Sequence, residues 1–353
     1  MSETRLPWRL LEDGITDPFL HFAIEETLLR RVSEGKSPPT FRLRQVTPCV
    51  FVGVFQDPRE DADVDYCRRH GIDIVRRPNP GGAVYQDPGS FCYSAFFPRH
   101  PAFDVLGIRE TRELYQVMGG IVVDWCGTFG VTAQAAPVND VEIGGRKVYG
   151  SAQVEMGPAV VHSGTFLVGT DIQVMEAALR PSRLKFADKG FSTVRDRVLN
   201  LSEAVGRPVG IPEAMGRLLE ALARRMPVDL VPGRLTEEES REAHELHDAK
   251  YARPEWTFPT RKPFSTTLST KAPSGVVVLD LELDGPRIVD VAIRGDFLIE
   301  RQERLTDLSA SLKGRSLQES LEIVRRSPLP EDLSRALADL LEDGGRRRGG
   351  AVP

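Results

Sequence analysis

Apolar residues near the start of the chain recur at helical spacing. Leu20, Ala23, Ile24 and Leu28 lie three or four positions apart, so a helix places them on one face. An aspartate followed by a proline stands just before them, and these residue types favour the cap and the first turn of a helix. The pattern therefore predicts an amphipathic helix that packs on a core.

Strand-like patterns dominate the next part of the chain. Short runs rich in β-branched and aromatic residues predict strands at 41–45, 49–55, 72–75, 91–97, 141–154 and 160–169. The fifth run contains a Gly-Gly pair and is predicted to fold back as two strands. Between these strands, a helix is expected within residues 109–130, with Gly130 as its stop.

Helical spacing returns after about residue 170 and is interrupted by one hairpin. The predicted helices are 171–179, 212–226, 236–252, 303–312, 316–326 and 330–343. The third begins with Thr236 and Glu239 at capping-box spacing. Residues 275–297 alternate as a hairpin that turns at Asp284 and Gly285.

The order of these elements favours an α+β fold in two domains. Strands and helices do not alternate strictly, which argues against a doubly wound parallel sheet. A mixed central sheet with flanking helices is expected over residues 1–252 and a small α+β domain over 253–342, joined by a connector with three prolines in twelve residues. Residues 343–353 are expected to form a disordered tail.

Composition excludes several classes of protein. The 353 residues carry a net charge of -5, which argues against a nucleic-acid binder that relies on bulk positive charge. No run of about 18 apolar residues predicts a membrane span, and the first residues do not resemble a signal peptide, so a cytoplasmic protein is expected. The four cysteines lack zinc-ligand spacing and are expected to be reduced thiols.

The stretch RRPNPGGAVYQDPGSFCYS, residues 76–94, is a candidate anion site. Gly81 and Gly82 allow backbone N–H groups to approach a ligand, and Arg76 or Arg77 offers a planar fork that matches a phosphate. Because strand residues alternate between faces, only one arginine is expected to face such a site. A structural turn is the alternative, and these residues alone leave both interpretations open.

Two further features carry candidate chemistry. Lys147 lies in a predicted strand among small residues, where a fixed ammonium holds carboxylate and phosphate oxygens together; a hairpin-edge lysine that discourages aggregation is the alternative. Asn139 and Asp140, just upstream, are candidates for binding substrate or a metal ion, or else turn formers. His162 is a third candidate, although a lone histidine is more often structural.

Together, the stretches 76–94, 139–153 and 162–172 resemble the lipoate-protein ligase A family in order and approximate spacing. Similarity extends over about residues 7–342 and includes 17–31, 51–58 and 189–201. The resemblance implies a catalytic domain of the biotin/lipoate ligase type, followed by a C-terminal accessory domain.

The resemblance also implies a two-step acyl transfer. Lipoate or octanoate and ATP, with Mg²⁺, would give an acyl-adenylate, and the acyl group would pass to a lysine of a lipoyl carrier domain. Carriers of this kind are the E2 subunits of 2-oxoacid dehydrogenases and the glycine-cleavage H protein. A monomeric enzyme is expected.

By position, the resemblance assigns roles to individual residues. Lys147 would be catalytic and would contact both the lipoate carboxylate and the phosphate. The expected adenylate-binding residues are Arg77, Gly82, Ala83, Val84, Tyr85 and Lys147. The expected substrate-binding residues are Lys147, Gly150, His162 and Asn139, and Asp140 is the candidate Mg²⁺ ligand.

The chain departs from the family pattern at several positions. Asn79 and Pro80 replace a Ser/Thr and the first of three glycines, and a proline fixes φ and removes one N–H donor. Gln86 stands where histidine is common, Tyr149 replaces a small residue, and Ser163 replaces the second histidine of a His-His-Gly motif. These departures affect the expected acyl pocket more than the reaction class.

Three other functions are alternatives. A transferase of the same fold moves octanoyl or lipoyl groups without ATP through a cysteine thioester, but no cysteine lies between Ala133 and Val148, where the related transferases carry it. A non-catalytic binding protein would explain Pro80 and Gln86 but not the presence of Lys147 and Arg77. Biotin ligation would require a different glycine-arginine loop.

Overall fold

A computed structural model describes residues 5–182, 184 and 193–349. The strands are β1 Leu6–Thr16, β2 Thr40–Val46, β3 Cys49–Val52, β4 Asp73–Arg76, β5 Val84–Gln86, β6 Ser90–Pro98, β7 Gln134–Ala136, β8 Asp140–Ile143, β9 Arg146–Met156, β10 Ala159–Leu167, β11 Val228–Pro232, β12 Thr266–Ala272, β13 Gly275–Asp284 and β14 Arg287–Gly295.

The α-helices are α1 Pro18–Ser33, α2 Pro58–Asp61, α3 Val64–Arg69, α4 Arg99–Leu106, α5 Leu114–Thr128, α6 Ile172–Ala178, α7 Val194–Arg197, α8 Leu201–Val205, α9 Ile211–Arg225, α10 Glu237–Leu246, α11 Pro254–Thr257, α12 Glu303–Leu312, α13 Leu317–Arg325 and α14 Glu331–Gly349. Within the described ranges, no helix is long and apolar enough to cross a membrane.

An eight-stranded mixed sheet forms the centre of the molecule. Its order is β11-β1-β2-β6-β10-β9-β8-β7, with β1 parallel to β2 and β11 and the other pairs antiparallel. The prediction of a mixed sheet in an α+β fold is confirmed. The sequence patterns miss β1, whose two partners come from distant parts of the chain.

The two faces of the large sheet bury different elements. α5 and α9 cover one face, around Phe41, Trp125 and Phe166. α1 crosses the opposite face, and beyond it lies a small sheet of order β4-β3-β5. Phe22 of α1 meets Phe51 of β3 edge-on, with ring centres 4.6 Å apart. α1 thereby separates the two sheets along one side and leaves a cleft beside it.

The C-terminal part has its own core and contacts the N-terminal part at several points. The sheet β12-β13-β14 packs on α12, α13 and α14. The Phe297 ring stacks on Phe55 at 5.4 Å between centres, and Arg301 forms an ion pair with Glu155 at 2.7 Å. The domain boundary after residue 252 stays a prediction, but this packing places one end of the sheet β12-β13-β14 against the cleft.

Two local predictions can be compared directly with the backbone. Gly130 follows α5 with φ 75°, as expected of a helix stop. The predicted tail begins too early, because α14 continues to Gly349. Gly344 still contacts the core, where a Cβ would lie 3.2 Å from Leu268, so packing outweighs the low helix propensity of the Gly-Gly pair.

Candidate active site

The cleft beside α1 is lined from three directions. The small sheet and its loops contribute Phe51, Arg77, Asn79 and residues 81–85, and the large sheet contributes residues of β6, β9 and β10. The C-terminal part of the chain closes the third side with residues 271–276 and Leu298. Each contributor comes from a different part of the chain, so the site exists only in the folded protein.

Lys147 reaches the cleft from β9. Its Nζ lies 2.7 Å from Oδ1 of Asp140, and the other oxygen of this carboxylate lies 2.8 Å from Arg197. The Lys147 side chain rests over Gly150, where a Cβ would stand 2.3 Å from the ammonium. Glycine at this position is therefore required for the observed position of the lysine.

Arg77 is a buried cation at the opposite wall. One guanidinium N–H donates to the Gly82 carbonyl at 2.8 Å, and Nε has no hydrogen-bond partner. Burial lowers the pKa of Arg77 to about 10. No carboxylate of the described part of the chain forms an ion pair with it, so Arg77 is suited to receive an anion from solution.

Arg76, the neighbouring residue, has a structural role. Its guanidinium donates to the carbonyls of Val54 at 2.6 Å, Gln56 at 2.8 Å and Trp256 at 3.0 Å. Those carbonyls belong to the turn after β3 and to α11, so Arg76 joins the small sheet to the connector. The expectation that only one arginine faces the cleft is confirmed.

The glycine loop is held by close backbone packing. The Asn79 carbonyl accepts a hydrogen bond from the N–H of Val54 at 3.1 Å, and Gly81 has φ 102°, which favours glycine. A Cβ on Gly53 would lie only 2.0 Å from the Gly81 oxygen. Pro80 is buried in this loop, so the loop is closely packed.

Gly53→Ala is expected to displace the glycine loop, because a methyl group cannot share the space of the Gly81 carbonyl. We expect the affinity for ATP, measured by calorimetry, to fall at least tenfold, or about 1.4 kcal/mol. Gly216→Ala serves as a control for the loss of a glycine, since Gly216 lies within α9 and a Cβ there would meet nothing within 4 Å. Unchanged ATP affinity in Gly53→Ala would contradict the close packing.

Most of the residues predicted to bind adenylate, substrate or metal line this one cleft. They are Arg77, Gly82, Ala83, Val84, Tyr85, Asn139, Asp140, Lys147 and Gly150. The Asn139 amide donates to the carbonyl of Ser151, and the Ser151 hydroxyl donates back to the Asn139 carbonyl. Asn139 therefore holds the strand edge beside Lys147, and its substrate-binding role stays a prediction.

His162 lies elsewhere, and its predicted contact with substrate does not fit its position. It points to the face of the large sheet opposite the cleft, where Nδ1 lies 2.9 Å from Gln153 and Nε2 lies 3.4 Å from the Tyr149 hydroxyl. Strand alternation gives the reason: Ser163, the next residue, lines the cleft instead. His162 is a structural residue of the core.

Burial of His162 predicts acid sensitivity. Desolvation lowers its pKa to about 3, so it stays neutral in the folded chain but binds a proton below about pH 6.5 when unfolded. Stability is then complete above pH 6.5 and declines as pH falls toward 3. The contribution lost at pH 5 is about 2 kcal/mol.

His162→Gln is expected to lose less stability between pH 7 and pH 5 than the parent in urea titrations. His21, whose pKa burial also lowers, remains in both proteins and accounts for residual sensitivity. An equal loss of unfolding free energy in both proteins would contradict this assignment.

The departures from the family pattern also have definite positions. Tyr149 turns its ring into the core, where its hydroxyl lies 2.8 Å from that of Tyr93, and Gly164 provides the space between the two rings. Gln86 donates to the Thr165 hydroxyl at 2.9 Å. Ser163 lies 2.7 Å from Ser94. Tyr149 and Ser163 line the cleft, whereas Gln86 is fully buried, and the Lys147 side chain stays partly exposed.

Sequence reasoning missed several residues of the cleft. They are His21, Glu25, Arg44, Cys92, Thr165 and the accessory loop 271–276. The strands that carry Arg44 and Cys92 are predicted, but the order in which strands pair is not visible in their patterns. The described residues contain no group of three or more histidine, cysteine or carboxylate side chains that could hold a metal ion. Asp140, the predicted Mg²⁺ ligand, pairs with the two cations Lys147 and Arg197.

Comparison with known proteins identifies the family. The model of the lipoyl protein ligase A/B catalytic domain matches residues 17–223, more than half of the chain. The chain belongs to this family. The relatives of this chain include both ligases and transferases. Membership of the family therefore does not by itself specify which of the two reactions is catalysed.

Two relatives of this chain represent the two reactions. Lipoate–protein ligase 1 of Staphylococcus aureus is 28% identical over 302 residues, which cover 86% of this chain and 88% of that protein. Octanoyltransferase LipM of Symbiobacterium thermophilum is 30% identical over 269 residues, covering 71% of this chain and 98% of that protein.

Solved structures agree with the biotin/lipoate ligase fold. A bi-partite lipoate protein ligase from Thermoplasma acidophilum, described with its E2 lipoyl domain, gives a TM-score of 0.64 at 27% identity, covering 74% of this chain and all of that one. A lipoate-protein ligase A bound with ATP gives 0.62 at 26% identity, covering 72% and 99%. The protein is an enzyme of the lipoate ligase and octanoyltransferase family.

Proposed function

We propose that the protein is an ATP-dependent lipoate–protein ligase. The observation that carries the proposal is the convergence of Lys147 and Arg77 on one cleft beside the Gly82–Tyr85 backbone. Arg77 is buried without a carboxylate partner in the described chain, which suits a site that receives phosphate. The neighbour bound with ATP has the same fold.

In the first step, a carboxylate oxygen of the acid attacks the α-phosphorus of ATP. A new oxygen–phosphorus bond forms, the bond to the β-phosphate oxygen breaks, and pyrophosphate leaves with the bonding electrons. Negative charge accumulates on the non-bridging oxygens, where the Lys147 ammonium and the Arg77 guanidinium stabilise it. Asp140 and Arg197 hold the lysine in position.

Mg²⁺ would take part in this reaction mainly as an ion bound to the phosphates of ATP. Mg²⁺ in nucleotide sites is held by phosphate oxygens, waters and one or two carboxylates. Asp140 is the carboxylate beside Lys147, but both of its oxygens already pair with cations, so it does not form a dedicated metal site by itself. We assign no step of the reaction to an Asp140-bound metal.

In the second step, the amine of a carrier lysine attacks the acyl carbonyl carbon. The amide bond forms, the bond to the adenylate oxygen breaks, AMP leaves, and the amine loses a proton. We propose lipoyl carrier domains as partners, because the T. acidophilum neighbour is described together with its E2 lipoyl domain. The H protein of glycine cleavage is a carrier of the same kind.

The transferase is the second candidate, because LipM is among the relatives. That reaction needs an activated thiol, and only Cys92 of the four cysteines lines the cleft within the described residues. Burial raises the pKa of Cys92, which disfavours the nucleophilic thiolate. Its neighbours are Thr165 at 3.5 Å and Gln86 at 3.6 Å, neither of which is a base. The cleft therefore favours the ligase.

A single assay separates the two reactions. The full chain is incubated with ATP, Mg²⁺, lipoate and an apo lipoyl domain, and the mass of the carrier is followed; in parallel, octanoyl-carrier replaces ATP and free acid. The ligase predicts mass gain only with ATP. Gain only from octanoyl-carrier would establish the transferase, and no gain or adenylate in either reaction would indicate a binding protein.

A further inference from the structure

Two carboxylates lie next to Lys147 on the neighbouring strand. Asp140 and Glu142 both belong to β8, which pairs with β9, and Glu142 stands directly opposite Lys147. Each of the two side chains is only 13% exposed, so salt and water screen their charges weakly. An anion that approaches the ammonium also approaches these two negative charges, which repel it. The position of Lys147 therefore suits an anionic ligand only if the two carboxylates are neutralised.

Arg197, the last residue of α7, supplies this neutralisation. One of its guanidinium N–H groups donates to Oδ2 of Asp140 at 2.8 Å, and another donates to Oε1 of Glu142. The planar guanidinium presents its donors in a fixed fork, so a single arginine serves both acceptors at once. Together with Lys147, the group contains two cations and two carboxylates, and its charges cancel.

Lys147 is held less tightly by Asp140 than Arg197 is. The Lys147 Nζ lies 2.7 Å from Oδ1 of Asp140, but this approach does not have hydrogen-bond geometry, and Oδ1 accepts no hydrogen bond from the described part of the chain. The hydrogen bond that this carboxylate accepts comes from Arg197 instead. Charge attraction alone keeps the ammonium beside Asp140, so its N–H donors can turn to a ligand.

The backbone around Arg197 is fixed to the strand that carries Lys147. The N–H of Leu199 donates to the Lys147 carbonyl at 2.8 Å, and Val198 pairs with Lys147 in a parallel bridge. Arg146 adds a hydrogen bond from its Nε to the Val198 carbonyl at 3.0 Å. These contacts place Arg197 beside the ammonium, at the wall of the cleft that Arg197 and Val198 line.

We propose that Arg197 is a positioning residue of the adenylating site and acts by neutralising Asp140 and Glu142. Neutralisation keeps the charge and the N–H donors of Lys147 available to the phosphate oxygens of the nucleotide. Without Arg197, one cation stands against two carboxylates, which compete with the phosphate for the ammonium and repel it. The inference rests on the proposed ligase function and adds to it a residue that acts through Lys147.

The test removes the charge of Arg197 and then restores the balance at a second position. Arg197→Gln should weaken ATP binding, measured by calorimetry, and lower pyrophosphate release with lipoate, each by about tenfold, which is within the range of coupling between neighbouring charged groups. Adding Glu142→Gln leaves one cation, Lys147, against one carboxylate, Asp140. The double variant should recover both quantities to within about threefold of the wild type. Arg197→Lys keeps the charge and should lose less than Arg197→Gln.

Recovery in the double variant separates neutralisation from a merely structural role. The double variant lacks both ion pairs of Arg197, so a structural role predicts that it performs no better than Arg197→Gln. Arg146→Ala is the matched control, because it removes the hydrogen bond to the Val198 carbonyl but no charge beside Asp140. Its ATP affinity should stay within about twofold of the wild type.

The outcomes also separate this inference from the proposed function. Unchanged ATP affinity and pyrophosphate release in Arg197→Gln would overturn the inference and leave the ligase function in place, as would a folded double variant that recovers neither quantity. If Arg197→Gln alone does not fold, as judged by thermal melting, the double variant decides: values near the wild type support the inference, and losses of about tenfold overturn it.

The wild-type chain supplies the remaining outcomes. Loss and recovery of ATP affinity in the variants, without pyrophosphate release by the wild type, would refute ATP-dependent activation and leave the role of Arg197 in ATP binding in place. A wild-type chain that binds no ATP would overturn both the inference and the ligase function.

Discussion

Lys147→Ala is expected to lower the rate of acyl-adenylate formation about a hundredfold. The ammonium is the cation that Asp140 and Arg197 hold in the cleft, and loss of one preorganised group that stabilises developing charge typically costs about 10²- to 10³-fold in rate. The readout is pyrophosphate release with lipoate and ATP. Asp140 keeps its pair with Arg197 at 2.8 Å, so the fold should be retained.

Arg146→Ala is the matched control for Lys147→Ala. Arg146 precedes Lys147 on the same strand, but its side chain pairs with Glu203 at 2.9 Å and is not part of the cleft lining. Its removal should leave adenylate formation within about twofold, since exposed ion pairs contribute at most about 1 kcal/mol. A rate within threefold of wild type in Lys147→Ala would refute the catalytic role of Lys147.

Arg77→Met is expected to abolish most ATP binding without destabilising the protein. The guanidinium is buried with an unpaired Nε and without a carboxylate partner in the described chain, and the carbonyl it binds belongs to the partly exposed Gly82, which water can reach. Its replacement therefore removes a desolvation cost at little loss of hydrogen bonding. We expect the Kd for ATP to rise about a hundredfold, equivalent to about 2.7 kcal/mol, and the melting temperature to stay equal or increase.

Arg76→Met should have the opposite outcome, a lower melting temperature with ATP binding retained, and it therefore serves as a control for Arg77→Met. It leaves the carbonyls of Val54, Gln56 and Trp256 without their charged donor, and each buried acceptor left unsatisfied costs about 1–3 kcal/mol. Thermal unfolding should therefore occur at a lower temperature. The assignment of the two arginines would be wrong if Arg77→Met melted lower than Arg76→Met while binding ATP normally.

Local patterns were sufficient for much of the fold. Helical spacing at Leu20 to Leu28, the capping box at Thr236, and the glycine turn near Gly285 all describe elements whose determinants lie within a few residues of one another. β1 was not visible in this way, because its pairing with β11 depends on residues more than 200 positions away.

The candidate site was predicted in part. Arg77, the glycine loop and Lys147 belong to short motifs, and the structure brings them to one cleft. His162 was misplaced, because a strand pattern reveals that neighbours point to opposite faces but does not reveal which face borders the ligand. The same uncertainty applied to Ser163, which faces the cleft in its place.

The sequence by itself determined the family, the local elements and the identity of the two main cations. Only the tertiary structure decided which arginine is buried toward the cleft, because that depends on the carbonyls of distant segments that Arg76 satisfies. It also decided the floor of the cleft. Gly150, Thr165, Cys92 and Arg44 lie on four strands, and only the order of strand pairing places them in one row.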